Sequence, residues 1–251
     1  MIILEVTFLV VFWAWMLSAA LLLRRTVPAR VPVSRIPEQL NLPVETVRFQ
    51  ATDGIELEGW KICSSSTRPW IVLCPELGSN RSSLLDLAAD LYALRFNLFL
   101  FDFRAHGASR GWVTSFGSLE QYDLEGALAF LSRQPDMPSK PYGIYGVSTG
   151  AATSLMVAAR DERLGAIAAD DVYASLEGTM RTRLKAYALP SVPFLWFVCV
   201  TYRLRFGVWP KRVSPETSAA ELGSRPLLAI HGVHSERRRL VTEFFQRYLQ
   251  Q

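Results

Sequence analysis

Gly146-Val147-Ser148-Thr149-Gly150 restricts the fold of this chain more than any other five residues. It follows an apolar run, Tyr142 to Tyr145, that reads as a short buried strand. It leads into Ala151-Ala152-Thr153-Ser154-Leu155-Met156-Val157-Ala158-Ala159, which reads as a helix packed closely through small side chains. Gly-x-Ser-x-Gly in a strand-to-helix turn forms a nucleophile elbow. The turn is so tight that the serine takes strained dihedrals, and only glycine fits two residues to either side. The hydroxyl then stands above the sheet, over a helix N-terminus that favours developing negative charge. Ser148 is the candidate nucleophile.

The surrounding pattern extends this unit into a sheet. Val44 to Gln50 and Ile55 to Ile62 flank Thr52-Asp53-Gly54, a hairpin signal with alternating polarity. Trp70 to Cys74, Asn97 to Phe103, Leu164 to Ala169 and Pro226 to Ile230 are short apolar runs of the kind that form central parallel strands. Between them lie helical stretches at Ser82 to Leu94 and Leu119 to Leu131, and Leu240 to Leu249 closes the chain as an amphipathic helix. Strands alternating with helices after an opening hairpin imply an α/β fold, a doubly wound and mostly parallel sheet.

The N-terminus is different in kind. Val6 to Leu23 is 18 residues without a charge, about 27 Å as a helix, which is close to the hydrocarbon thickness of a bilayer. No convincing basic leader or small-x-small cleavage site marks it as a cleaved signal. Residues 1–25 are therefore expected to be a single-pass transmembrane helix. Residues 26–43, with four prolines from Pro28 to Pro43, read as an extended linker to a domain spanning 44–251. Positive charge follows the span at Arg24, Arg25, Arg30 and Arg35, which would place the domain in the cytoplasm. The net charge of +4 is scattered without an aromatic-interleaved basic stripe, so nucleic acid is not an expected partner. Cys63, Cys74 and Cys199 fit neither a disulfide framework nor a metal site.

Three further segments carry a resemblance. Phe101-Asp102-Phe103-Arg104-Ala105-His106-Gly107-Ala108-Ser109 is similar to the Asp-x-Arg-Gly-His-Gly-x-Ser loop of the α/β-hydrolase superfamily's membrane-associated and peptidase-like branches. Asp53-Gly54-Ile55-Glu56-Leu57-Glu58-Gly59-Trp60 and Pro226-Leu227-Leu228-Ala229-Ile230-His231-Gly232 resemble the same proteins, in the expected order. The resemblance implies an α/β-hydrolase of the serine-peptidase or esterase-like type, with no cofactor and no metal. It also implies a lid inserted at about 177–214.

Serine hydrolysis needs a base, an acid that orients it, and donors for the oxyanion. Of three histidines, His106 takes a structural role by the resemblance, and His231 reads as a buried strand terminus. His234, before the last helix, matches the catalytic histidine's local context. The chain departs from the family here: Val233 alone separates Gly232 from His234, so the usual acid loop and final strand are expected to be missing and the C-terminal region to be shortened. Asp171 or Asp170, after Ala169, is the substitute acid, unless the pair caps a helix beginning near Tyr173. Thr149 and, by the resemblance, Leu77 would supply the oxyanion amides. Glu76 beside Leu77 would oppose the oxyanion by roughly 3 kcal/mol unless it is turned away, protonated, or paired with a cation such as Arg81 or Arg104.

Leu189 to Val200, interrupted by Pro190 and Pro193 and flanked by Arg181, Arg183, Lys185, Arg203 and Arg205, is too short to cross a bilayer. It fits the roof of an acyl pocket, a segment lying in the membrane interface, or simple packing on the sheet edge. Two functions are expected: a membrane-tethered serine hydrolase of carboxylic esters, lipidic ones among them, or a degenerate, non-catalytic hydrolase fold that binds a ligand or partner at the membrane.

Overall fold

The computed structural model describes residues 2–134, 142–232 and 236–250. Seven strands form one sheet: β1 (Val44–Gln50), β2 (Glu56–Ile62), β3 (Trp70–Cys74), β4 (Asn97–Phe101), β5 (Tyr142–Val147), β6 (Leu164–Asp170) and β7 (Leu227–Ile230). Their spatial order is β1-β2-β4-β3-β5-β6-β7. The opening hairpin and the β2–β4 pair are antiparallel, and every later pair is parallel. The turn before β2 closes as the sequence implies, with Gly54 at φ 87° donating to the Ala51 carbonyl at 2.9 Å.

The central strands β3, β4 and β5 are buried along their whole length, as strands covered on both faces must be. On one face α3 (Glu120–Leu131) and α4 (Thr149–Ala158) cover a core that includes Trp70, Phe99, Leu124 and Leu155. On the other, α2 (Leu85–Ala93) and α8 (Arg237–Leu249) cover Ile71, Leu98, Tyr145 and Phe245. Among the described residues β7 is the last strand, and α8 follows it.

The insert folds as α5 (Leu176–Ala186) and α6 (Ser191–Phe206), followed by α7 (Pro215–Ala220). Pro190 precedes α6, and Pro193 kinks its first turn: Val192 before it is extended at φ −109° and ψ 129°, as the residue preceding a proline prefers, and the helix runs on from there to Phe206. α5 begins at Leu176, and its cap is Ser175, whose side chain accepts from the Gly178 amide. Neither Asp170 nor Asp171 caps it.

The N-terminal helix α1 (Ile2–Thr26) has an apolar window, Leu9–Thr26, long enough to cross a membrane. It packs along α6, and Trp15 donates to the Thr201 hydroxyl at 3.2 Å. Leu22 joins Met156, Met180, Leu195 and Val198 in a third apolar cluster beneath the insert. The expected linker is not extended throughout, because Pro37–Leu40 forms a 3-10 helix, and it is tied to the domain. Arg30 donates to the carbonyls of His106, Gly107, Ser109 and Gly111. Asn80 donates to those of Val31 and Pro32, and Arg35 pairs with Asp86 at 2.8 Å.

Candidate active site

The elbow is built as its glycines require. Ser148 sits between β5 and α4 at φ 51° and ψ −110°, a backbone conformation that L-residues avoid unless the surroundings hold them there. Its amide donates to the Asp170 carbonyl at 2.7 Å, which ties the turn to β6. A Cβ at residue 146 would lie 2.5 Å from the Gly150 carbonyl carbon, and one at residue 150 would run into the Cys74 carbonyl oxygen. Both glycines are therefore demanded by close approach of backbone, independent of propensity.

Ser148 is half-buried at the base of a cavity of about 240 Å³, which Leu77, Thr149 and Asp171 also line. Neither the Leu77 nor the Thr149 amide donates to another described residue, and Thr149 is the first residue of α4. The upper walls are apolar: Phe116, Leu176, Met180, Leu184 and Val198, with Leu21 and Leu22 arriving from α1. Phe116 is held by its neighbours. Buried Glu120 accepts from Thr114 Oγ1, the Ser115 and Gly117 amides and Ser115 Oγ, and Tyr173 donates its hydroxyl to the Phe116 carbonyl.

The loop after β4 supports the candidate oxyanion strand from behind. His106 is buried, with Nε2 accepting from the Gly78 amide at 3.0 Å and Nδ1 donating to the Arg104 carbonyl at 2.8 Å. That arrangement fixes the ring's orientation and positions Gly78, the residue next to Leu77. Buried Asp102 accepts from the Arg81 side chain at 2.5 Å, the Arg81 amide at 2.7 Å and the Ala108 amide at 2.9 Å. Gly107, at φ 46°, leaves room for that carboxylate, because a Cβ there would overlap it. Arg104 is clamped between Asp123 and Asp53. Arg81 and Arg104 are thus committed to other carboxylates, and Glu76, for which they were candidate cations, is exposed.

The two candidate acids point in different directions, as adjacent residues at a strand end do. Asp170 is fully buried and accepts from the Tyr145 hydroxyl at 2.7 Å, and Arg237 Nε lies 2.7 Å away as an ion pair without an aligned hydrogen bond. Burial, and then that hydrogen bond, pushes the Tyr145 phenol well above its ordinary range. Asp171, at φ 48°, is exposed toward the cavity; it accepts from the Gly232 amide at 3.3 Å and meets Arg237 at 3.3 Å. His231 is exposed rather than buried, because β7 is an edge strand and ends there. His234 lies outside the described residues. Among the described residues no grouping of His, Cys, Asp or Glu suits a metal ion.

Sequence reasoning did not find Tyr145 or Arg237 as partners of Asp170. In the sequence Arg237 is one of three consecutive arginines, Arg237 to Arg239, and Tyr145 is one more apolar strand position. It also missed Leu21, Leu22 and Arg25 as cavity walls, since nothing in a hydrophobic N-terminal run announces a contact some 120 residues away.

No family model matches the chain. The Bacillus subtilis protein YqkD, of uncharacterised function, is 30% identical over 181 residues, which is 71% of this chain and 59% of that protein. The Arabidopsis thaliana α/β hydrolase domain-containing protein WAV2 is 26% identical over 144 residues, covering 56% of this chain and 46% of its own. The chain therefore spans less than two thirds of the length of these relatives. Among solved structures, an esterase of Pyrococcus furiosus superposes with a TM-score of 0.67 at 21% identity, covering 89% of this chain and 98% of the esterase.

Proposed function

We propose that this chain, which has the α/β-hydrolase fold, is a membrane-tethered serine hydrolase acting on carboxylic esters. The observation that carries the proposal is the Ser148 backbone. Strain at φ 51° is maintained by two backbone-contact glycines, and the side chain it presents lies in an apolar cavity beside two uncommitted amides. A turn held this way serves to display a nucleophile. The name of the P. furiosus esterase and the hydrolase name of the plant relative agree with a hydrolase.

In the proposed reaction Ser148 Oγ attacks the ester carbonyl, and the Leu77 and Thr149 amides accommodate the resulting oxyanion at the positive end of α4. His234 takes the serine proton and returns it to the leaving alcohol, with Asp171 orienting the imidazole. Asp171 is preferred to Asp170 because it lines the cavity, whereas Asp170 is sealed beneath the sheet edge between Tyr145 and Arg237. No metal or organic cofactor enters this chemistry. The apolar window of α1, the exposed Val192 and Trp196 on α6 and the flanking arginines support a position at a membrane, with the domain on the cytoplasmic side.

Reaction with a fluorophosphonate probe tests the proposal. The full chain should label and Ser148→Ala should not. Absence of labelling in folded wild type would leave the other reading, a non-catalytic hydrolase fold that binds a ligand at the membrane.

A further inference from the structure

The cavity over Ser148 is not closed by the hydrolase domain alone. Leu21, Leu22 and Arg25 of α1 line it, facing Arg183 and Tyr187 of the insert. We infer that α1 is a wall of the substrate site, and that the site takes amphiphilic acyl esters bearing an anionic group, which Arg25 and Arg183 bind. This inference rests on the proposed hydrolase reading for the ester chemistry, but its binding component stands on the cavity itself.

The depth of the site within α1 supports it. Leu21 to Arg25 fall in the final turns of the apolar window Leu9–Thr26. At about 1.5 Å per residue they lie within roughly 8 Å of its end, the level at which hydrocarbon gives way to head groups. An acyl ester held in that leaflet would have its carbonyl at the height of the cavity and its chain alongside α1. Charge supports it as well. Asp171, the acidic side chain in the lining, pairs at 3.3 Å with Arg237, a cation it shares with Asp170, so it leaves Arg25 and Arg183 without a carboxylate of their own in the lining. Among the described residues Arg25 donates only to the Tyr187 hydroxyl, at 3.2 Å, and Arg183 is exposed. Two guanidiniums at the edge of an apolar cavity match an acyl chain joined to a phosphate or carboxylate.

The experiment measures binding to the full-length Ser148→Ala chain in neutral detergent micelles, so that turnover is not required. Oleoyl lysophosphatidate should bind about tenfold more tightly than mono-oleoylglycerol, and the preference should shrink as salt is raised. Replacing both Arg25→Gln and Arg183→Gln should bring the two ligands within about twofold, whereas Arg24→Gln, which removes the same charge one residue away from the cavity, should keep the preference. Leu21→Trp should weaken both oleoyl ligands about fivefold or more by filling the site, and Leu23→Trp should not. A preference that survives loss of both arginines, or falls equally with Arg24→Gln, overturns the anionic assignment. Equal effects of Leu21→Trp and Leu23→Trp overturn the wall. Failure of wild type to label with fluorophosphonate while these binding results hold would instead sink the hydrolase reading alone.

Discussion

Gly150→Ala isolates the close approach on which the elbow depends. In an ordinary helix this change is stabilising, by up to about 1 kcal/mol, because alanine loses less backbone freedom on folding. Here the new methyl group would sit 2.5 Å from the Pro75 carbonyl oxygen and 2.9 Å from the Cys74 carbonyl carbon, where ordinary contacts begin near 3.4 Å. The obstructing atoms are backbone, at and just beyond the end of β3, so no rotamer change relieves the overlap. α4 would have to rise off the sheet by most of an ångström, yet all ten of its residues are buried and packed. Overpacking of this kind costs about 1–3 kcal/mol, and steric overlap with backbone lies at the upper end, so the expected net destabilisation is about 2 kcal/mol. The same displacement carries Ser148 and the Thr149 amide away from Leu77. A shift near 1 Å in a catalytic constellation can lower the rate about 100-fold. Urea denaturation followed by circular dichroism gives the first quantity, and the rate of fluorophosphonate labelling gives the second. A variant as stable as wild type that labels at the wild-type rate would refute the reasoning.

Two other perturbations probe groups buried around the site. Arg237→Leu strands the Asp170 carboxylate without its cation and is expected to cost about 3 kcal/mol in urea denaturation, with Asp170→Asn in the same chain recovering much of it; strictly additive effects in the double-mutant cycle would count against the pairing. Cys74 is fully buried, and desolvation raises its thiol from an ordinary 9.0 to about 12. A raised folded-state pKa means that the stability is complete below about pH 9 and is lost as pH climbs toward 12, because only the unfolded chain ionises there. Wild type should therefore lose about 2 kcal/mol more than Cys74→Ala between pH 9 and 11, and parallel stability profiles for the two would exclude the effect.

Much of the scaffold is written in local pattern. β1 and β3 fall where alternation and unbroken apolar runs put them, and the other strands differ by one or two residues at an end. The elbow was legible for the same reason: glycine spacing, a buried strand and a small-residue helix are all short-range. What could not be read depends on distant surfaces meeting. Asp170 and Asp171 look equivalent in sequence, and only the strand's alternation against Tyr145 and Arg237 separates a sealed carboxylate from one that faces the cavity. Glu76 offers a similar lesson. Arg81 and Arg104 were candidate partners, but buried Asp102 and Asp123 compete for them far better than an exposed glutamate does. The start of α5 shifted from Tyr173 to Leu176 because Ser175 satisfies the orphan amide at Gly178.

The strap formed by residues 27–35 has a mechanical corollary. Arg30 grips the carbonyl of His106 at 3.4 Å, and the ring of that same histidine holds the Gly78 amide, one residue beyond Leu77. Tension or slack delivered through the segment that joins α1 to the sheet is thus borne by the residue that steadies the proposed oxyanion loop. Trimming or lengthening this stretch would retune the machinery while leaving every cavity side chain untouched.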